Sequence, residues 1–194
     1  MKLNTIMVAM STAMFLCAGS AYADNSTAPA NPAVTVNGGT IHFKGKLVEA
    51  PCAVSNDSSD QPVDLGEYTT HHFKKVGTLG TLKPFQIKLE DCDTTTASTA
   101  AVAFSGRQDA TDATLLAIDA GASGVNKDTA TGVGIQILDE LSKVVKTDGV
   151  SFSSPHHLID GENVLNFAAQ YKSTADKTTA GDANADVTFV MQYQ

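Results

Sequence analysis

The chain has 194 residues and a formal net charge of −8, with 21 acidic side chains against 13 lysines and arginines. This acidic balance argues against binding nucleic acid or anionic lipid, because both need a basic surface. Tryptophan is absent and aromatic residues make up only 6% of the chain, and the many small and β-tolerant residues favour thin β-structure over a helical bundle.

The first 23 residues have the features of a secretory signal peptide. Lys2 supplies a positive charge, a mostly apolar run follows from Ile6 to Gly19, and Ala21-Tyr22-Ala23 forms a small-x-small cleavage site. The apolar run is too short to cross a bilayer, which takes about 20 apolar residues. We therefore expect residues 1–23 to be removed on export, which brings the net charge to −9 because Lys2 leaves with them.

Two cysteines remain in the exported chain. Cys17 is lost with the signal peptide, whereas Cys52 and Cys92 enter an oxidising compartment. An isolated pair of cysteines in such a compartment predicts a disulfide, and only one connectivity is possible.

The next segment is a polar leader followed by a change of parity. Residues 24–37 are rich in Asn, Ser, Thr and Ala and cannot bury enough apolar surface to fold alone. Apolar and small side chains occupy even positions up to Thr40 and odd positions from Ile41. A strand shows alternate residues to opposite faces, so either a bulge at Gly38-Gly39 corrects the register or two strands serve two different cores. The even set is Val34, Val36, Gly38 and Thr40, and the odd set begins with Ile41, Phe43 and Gly45.

The rest of the chain consists of short alternating segments separated by turn residues. This pattern predicts an antiparallel β-sandwich, and no segment sustains a helical apolar stripe. The last segment is the most regular, with only Val190 breaking its alternation, and one of its faces carries Val187, Phe189, Met191 and Tyr193. The predicted strands lie at 41–47, 63–66, 85–89, 101–105, 115–118, 133–138, 144–145, 164–171 and 187–193.

Catalytic and metal-binding motifs are not evident in the sequence. The pairs His71-His72 and His156-His157 have no third ligand at a metal-site spacing. Ser153-Ser154 lies near His156, but no nucleophile-elbow or oxyanion motif accompanies it. The sequence therefore predicts no enzyme activity, no metal site and no cofactor.

Five motifs occur in a characteristic order around cysteines about forty residues apart. They lie at 38–45, 84–92, 99–106, 132–139 and 183–194, the last with a penultimate tyrosine, Tyr193. Together these motifs resemble the major subunits of type 1 fimbriae in the chaperone–usher pilin family.

The resemblance implies an incomplete immunoglobulin-like antiparallel sandwich that lacks its last strand and is completed by a donor strand. Residues 1–23 are then the signal peptide, 24–40 the N-terminal donor-strand extension and 41–194 the pilin domain. The even set would fill the groove of a neighbouring subunit, and the odd set from Ile41 would belong to the subunit's own core. The acceptor groove, which is also the chaperone contact, would involve Val187, Phe189, Met191, Tyr193 and Gln194.

The resemblance also implies a function and a set of partners. The chain would be a structural subunit that polymerises by donor-strand exchange into an adhesive surface filament, exported through the periplasm to the cell surface. Its partners would be neighbouring pilin subunits, a periplasmic chaperone anchored at the carboxylate of Gln194, and an outer-membrane usher. The alternatives are a minor adaptor pilin and a fimbrial adhesin subunit, and the adhesin would be expected to carry an additional receptor domain.

Overall fold

A computed structural model describes residues 33–45, 47, 49–118 and 129–194. The predicted signal peptide and residues 24–32 of the predicted extension lie outside these ranges. The chain divides into two units, one ending at Gly45 and the other beginning at Lys46. In the described ranges no helix is long and apolar enough to cross a membrane.

The larger unit is built from strands and a single short 3-10 turn, Asn56–Ser58, as far as the structure describes it. Its strands are β1 (Ala53–Val54), β2 (Lys83–Cys92), β3 (Thr99–Ser105), β4 (Leu116–Ala117), β5 (Val133–Leu138), β6 (Val144–Val145), β7 (Asp148–Phe152), β8 (His156–His157), β9 (Gly161–Ser173) and β10 (Thr188–Tyr193).

These strands form two antiparallel sheets. The first has the order β1-β2-β9-β5-β4, with β6 paired to β5, and the second has the order β10-β3-β7, with β8 paired to β3. Every strand pair is antiparallel. The prediction of an all-β antiparallel sandwich is confirmed.

The core lies between the inner faces of the two sheets. In β2, Ile87 and Leu89 are buried whereas Gln86 and Lys88 are exposed, as period-2 alternation requires. Burial of such side chains stabilises the fold by about 1.5–3 kcal/mol each. The fully buried members of the main cluster also include Val102 and Phe104 of β3.

The long strands define two ends of the sandwich. The head contains Cys52 and Cys92, and Cys92 lies opposite Gly161, where β9 begins. The tail contains Lys83, where β2 begins, opposite Ala169 near the end of β9. β10 runs from the tail to the head, because Tyr193 pairs with Ala100 and Thr188 with Ser105.

Two sequence predictions of strands are wrong. The smaller unit forms no strand over its described residues 33–45. Ile41 and Phe43 are 79% and 92% exposed and Leu47 is 100% exposed, and their place in the subunit's own core stays a prediction. Alternation shows that one face of a segment is apolar, but it does not identify the core that will cover that face.

The segment 63–66 was also expected to be a strand, and it has no strand pairing. Val63 remains 36% exposed and Leu65 is half-buried against the cluster of side chains around Tyr171. Its alternation reflects contact with apolar neighbours rather than membership of a sheet.

Candidate functional site

An apolar groove runs beside β10, the edge strand of the second sheet. The groove has a volume of about 440 Å³. Val187 and Phe189 line it on the β10 side, and Asp60, Val63 and Leu65 line it on the side of the segment that follows the 3-10 turn. Its floor is formed by core side chains, namely Phe85, Ile87, Phe104, Leu116, Ile135, Ile137 and Ala169.

Every second side chain of β10 points into the sandwich. Phe189, Met191 and Tyr193, with Val187 before the strand, are half-buried against the main core cluster. Val190, which breaks the alternation in the sequence, points outward and is 49% exposed. The structure therefore brings the four predicted groove residues onto one face. Burial raises the pKa of the Tyr193 phenol.

Among the strands that the structure describes, β10 pairs along one edge only, and its other edge is open. Gln194 donates its N–H to the Thr99 carbonyl at 3.1 Å and accepts the Thr99 N–H at 2.9 Å. In an antiparallel pair of strands, hydrogen-bonded and non-hydrogen-bonded residue pairs alternate. Gln194 and Thr99 form a hydrogen-bonded pair, so Val190, four residues before Gln194, also hydrogen-bonds to β3. Phe189 and Met191 therefore direct their N–H and C=O groups toward the open edge, where a further strand could bind them.

The opposite wall of the groove is held by β1 and the 3-10 turn. β1 pairs with β2 only at Ala53–Glu90 and Val54–Leu89. Beyond these pairs, the Ser55 N–H donates to the Lys88 carbonyl at 3.0 Å, and the Lys88 N–H donates to Ser58 Oγ at 2.8 Å. The first sheet therefore loses its edge strand where the groove opens. Sequence reasoning missed this wall, although the Val63-x-Leu65 alternation marks its apolar residues.

The head of the sandwich contains the predicted disulfide. Cys52 and Cys92 are bonded, with their Cα atoms 4.1 Å apart. The same end positions Gln194, whose main-chain oxygen accepts the N–H of Ser98 at 2.7 Å and that of Thr99. The disulfide and the end of β10 therefore lie at the same end of the domain.

Ser153 and His156, two of the residues weighed as catalytic or metal-binding groups, make contacts within the domain. Ser153 Oγ accepts the Val102 N–H at 3.0 Å and donates to the Ser154 carbonyl at 3.1 Å. His156 Nδ1 lies 3.2 Å from a Glu140 carboxylate oxygen. The described residues contain no group of three or more His, Cys, Asp or Glu side chains that could hold a metal ion.

Comparisons with known proteins identify the family. The family model described as "Fimbrial protein" matches residues 41–194. The chain belongs to the fimbrial protein family. It is 50% identical over 194 residues to the uncharacterized fimbrial-like protein SfmA of Escherichia coli K12, covering all of both chains. It is also 50% identical over 193 residues to the fimbrial subunit type 1 of Salmonella typhimurium, covering 100% of this chain and 98% of that one.

Solved structures agree with the sequence relatives. A chaperone–usher pilus structure aligns with a TM-score of 0.69 and 28% identity, covering 84% of this chain and 99% of that one. The P pilus rod subunit PapA aligns with a TM-score of 0.62 and 28% identity, covering 75% of this chain and all of that one. The predicted family is confirmed, and with it the prediction of a structural fimbrial subunit of the cell surface.

Proposed function

We propose that this fimbrial subunit polymerises by donating its leader to the groove of another copy. The observation that carries the proposal is the open edge of β10 above an apolar groove. Phe189 and Met191 offer both unpaired main-chain groups and half-buried side chains there, and an open apolar edge of this kind is an aggregation hazard unless a strand covers it. Strand addition satisfies the backbone through main-chain hydrogen bonds and the side chains through burial.

The leader has the properties that a donor strand needs. Residues 33–40 of the predicted donor extension are exposed and form no strand of their own. The local hydrogen bond within it, from the Gly39 N–H to Asn37 Oδ1, is 3.1 Å long. Backbone groups of this segment are therefore available to pair with β10 of a second molecule.

Two registers are possible, because apolar side chains occupy even positions up to Thr40 and odd positions from Ile41. The sequence predicts the even set, in which Val34 and Val36 are 80% and 76% exposed. The odd face carries Ile41, Phe43 and Leu47, which are at least 79% exposed. Burial contributes about 25 cal/mol per Å² of apolar surface, so insertion of the two exposed valines of the even face stabilises the complex. We infer that the even face of Val34, Val36, Gly38 and Thr40 enters the groove. The family match, which begins at Ile41, supports leaving the odd set to the pilin domain, and the odd register is the competing prediction.

The same groove explains the need for assembly partners. A periplasmic chaperone would cover the groove until a second subunit's leader replaces the chaperone strand, and an outer-membrane usher would bring the two subunits together. Main-chain pairing along a whole strand adds several hydrogen bonds worth about 1 kcal/mol each. Because these contacts must break together, dissociation of the finished filament is slow. A head-to-tail contact of this kind does not close on itself, so it generates a filament.

Paired serine substitutions in the exported chain test the proposal and its register. In the Val34→Ser/Val36→Ser variant we expect fibre formation to be lost or at least tenfold slower. Val34 and Val36 are 80% and 76% exposed in the free subunit, so thermal unfolding of the unassembled subunit should be unchanged. Ile41→Ser/Phe43→Ser, at positions predicted to belong to the subunit's own core, should instead lower the thermal stability of the unassembled subunit. Loss of fibres from Ile41→Ser/Phe43→Ser at unchanged thermal stability, with normal fibres from Val34→Ser/Val36→Ser, would establish the odd register, and normal fibres from a variant with all four serines would refute the donor role of the leader.

A further inference from the structure

The leader contains a chemically labile dipeptide, Asn37-Gly38. Asparagine is a thermolabile residue, because its side-chain amide reacts with the backbone nitrogen of the residue that follows it. Glycine at that next position favours the reaction, since it has no Cβ to hinder closure of the ring. No other asparagine in the sequence precedes a glycine.

The local structure folds the Asn37 side chain back over the reacting nitrogen. The Gly39 N–H donates to Asn37 Oδ1 at 3.1 Å, and Gly39 has a φ of +103°, which glycine adopts readily. The ring of atoms closed by this hydrogen bond includes the Gly38 nitrogen, so the bond keeps Asn37 Cγ close to that nitrogen. The same N–H stabilises the negative charge that develops on Oδ1 when a nucleophile adds to Cγ.

The surroundings of the dipeptide leave room for the reaction. Asn37 and Gly38 are both exposed, and residues 33–45 pair with no strand in the described part of the chain. A Cβ placed on Gly38 or on Gly39 would meet no other atom within 4 Å. The backbone can therefore adopt the dihedral angles that ring closure requires, and water reaches the product.

The reaction has two steps. The Gly38 nitrogen gives up its proton and adds to Asn37 Cγ, the bond from Cγ to the side-chain nitrogen breaks, and ammonia leaves with that proton. The product is a cyclic succinimide, which water then opens at one of its two carbonyl carbons. Opening at Cγ gives aspartate in an ordinary backbone. Opening at the main-chain carbonyl carbon gives isoaspartate, in which the backbone runs through the former side chain.

Isoaspartate changes the register of the leader. It adds one methylene carbon to the backbone between position 37 and Gly38. In the even register Val34 and Val36 precede this point, and Gly38 and Thr40 follow it. Side chains on the two sides of the added carbon then no longer alternate as one strand, so they cannot enter one groove together. Aspartate keeps the register, and its side chain at an odd position lies on the face opposite to the even set.

We propose that Asn37-Gly38 is a self-modification site that converts unassembled subunits into isoaspartate forms unable to donate their leader. The reaction depends on the geometry of the dipeptide alone, whereas its effect on assembly rests on the proposed function and on the even register. Assembly protects the site, because a leader paired with a second subunit has its dihedral angles fixed by main-chain hydrogen bonds. The fibre therefore preserves subunits that assembled before they aged.

Incubation of the exported chain, unassembled and in preformed fibres, tests the reaction. Peptide mapping by mass spectrometry, with enzymatic methylation to mark isoaspartate, measures the product at each asparagine. Asn184 is the internal control, because it is exposed but precedes Ala185. In the unassembled chain we expect the product at Asn37 to form at least about tenfold faster than at Asn184. In fibres Asn37 should react at least about tenfold more slowly than in the unassembled chain. Equal rates at the two asparagines would overturn the site, and equal rates in chain and fibre would overturn the protection.

Two variants separate the backbone change from the loss of the amide. Asn37→Gln disfavours the reaction because it would require a larger ring, and Asn37→Asp carries the charge of the ordinary product. Freshly prepared, both should assemble like the unsubstituted chain. After ageing, the unsubstituted chain should leave its isoaspartate form outside the fibres, whereas Asn37→Gln should still assemble fully.

The remaining outcomes distinguish this proposal from the donor role of the leader. Isoaspartate chains that enter fibres in proportion to their share of the pool would overturn the effect on assembly. Loss of assembly in fresh Asn37→Asp would assign that effect to charge and overturn the register explanation. Failure of the fresh unsubstituted chain to form fibres would overturn the proposed function and the effect on assembly, while the difference in rate between Asn37 and Asn184 would still support the reaction.

Discussion

Three phenylalanine rings form the centre of the core where the two sheets meet. The ring centroid of Phe104 in β3 lies 5.3 Å from that of Phe167 in β9 and 6.2 Å from that of Phe85 in β2. Edge-to-face contacts of this kind stabilise a core beyond the area that they bury. Phe85 and Phe104 also line the groove floor, so the same rings support the fold and the binding surface.

Removal of the central ring should destabilise the free subunit strongly. Phe104 is 2% exposed, and a buried Phe→Ala change costs about 3–5 kcal/mol through lost burial and the cavity that it leaves. We expect Phe104→Ala to lower the free energy of unfolding by about that amount in guanidinium titrations. Val190→Ala, on the outward face of β10, is the control and should cost less than about 1 kcal/mol. A loss of similar size for both variants would contradict this account of the core.

A single carboxylate should make the subunit sensitive to acid. Asp112 accepts a hydrogen bond from the Thr114 hydroxyl at 2.6 Å and lies 2.9 Å from Lys172 Nζ in β9. The Thr114 hydrogen bond, and then Lys172, lower the pKa of Asp112 from 3.8 to about 2. A depressed pKa in the folded state stabilises the fold above the unfolded pKa, and that contribution is lost as pH falls toward the folded pKa.

The test is the pH dependence of unfolding between pH 6 and pH 2. Wild type should lose stability as pH falls below about 4, and Asp112→Asn should lose measurably less over the same interval. Asp57→Asn, which removes an exposed carboxylate 3.7 Å from Lys88, is the matched control and should follow the wild-type curve. Identical acid profiles for wild type and Asp112→Asn would refute the role of this pair.

At the scale of elements, alternation predicted strands well wherever one face meets the sandwich core. The sequence predicts β2 because Ile87 and Leu89 alternate with polar side chains. It predicts β10 because Phe189 and Met191 alternate with side chains that point outward. β7 was missed because its Gly149 has a φ of +78° and Val150 is 75% exposed, so its pattern does not alternate. Glycine can adopt such a φ readily, which allows an irregular edge strand.

The segment that follows the leader shows what an alternating pattern leaves open. Ile41, Phe43 and Leu47 have the pattern of a core strand, and the sequence predicts that they belong to the subunit's own core. They are at least 79% exposed in the single chain, and their place in that core stays a prediction. The period of a strand specifies which side chains share a face, whereas the molecule that covers the face depends on which sheet edge is open. That edge becomes visible only when β10 and the groove are assembled.

The open edge of β10 can be tested separately from its side chains. Met191 directs its N–H toward the open edge, and a proline at this position of an edge strand removes that one donor without breaking the bonds to β3. We expect Met191→Pro and Met191→Ala to lose similar core contacts, and only Met191→Pro to lose the donor-strand hydrogen bond as well. Fibre assembly, followed by electron microscopy and by resistance to detergent, should be impaired further in Met191→Pro. Equal assembly of the two variants would argue against pairing at this position.

At the scale of the whole molecule, the disulfide closes the segment that forms one wall of the groove. Between Cys52 and Cys92 the chain leaves the head, passes along the groove through Val63 and Leu65, and returns from the tail in β2. The outgoing half of this segment has little strand pairing, since β1 is only two residues long. Its two ends are nevertheless fixed together by a covalent bond.

Loss of this bond should destabilise the whole domain and open the groove. A cross-link with a sequence separation of 40 contributes about 4 kcal/mol by restricting the unfolded chain. We expect the Cys52→Ala/Cys92→Ala variant to unfold at lower guanidinium concentration by a free-energy difference of about that size. Because the wall at 60–65 lacks strand partners, hydrogen exchange there should also rise more than in β9, whose pairing on both sides is independent of the disulfide. A difference below about 1 kcal/mol, or uniform exchange in both regions, would mean that the wall is held by its side-chain contacts rather than by the closed loop.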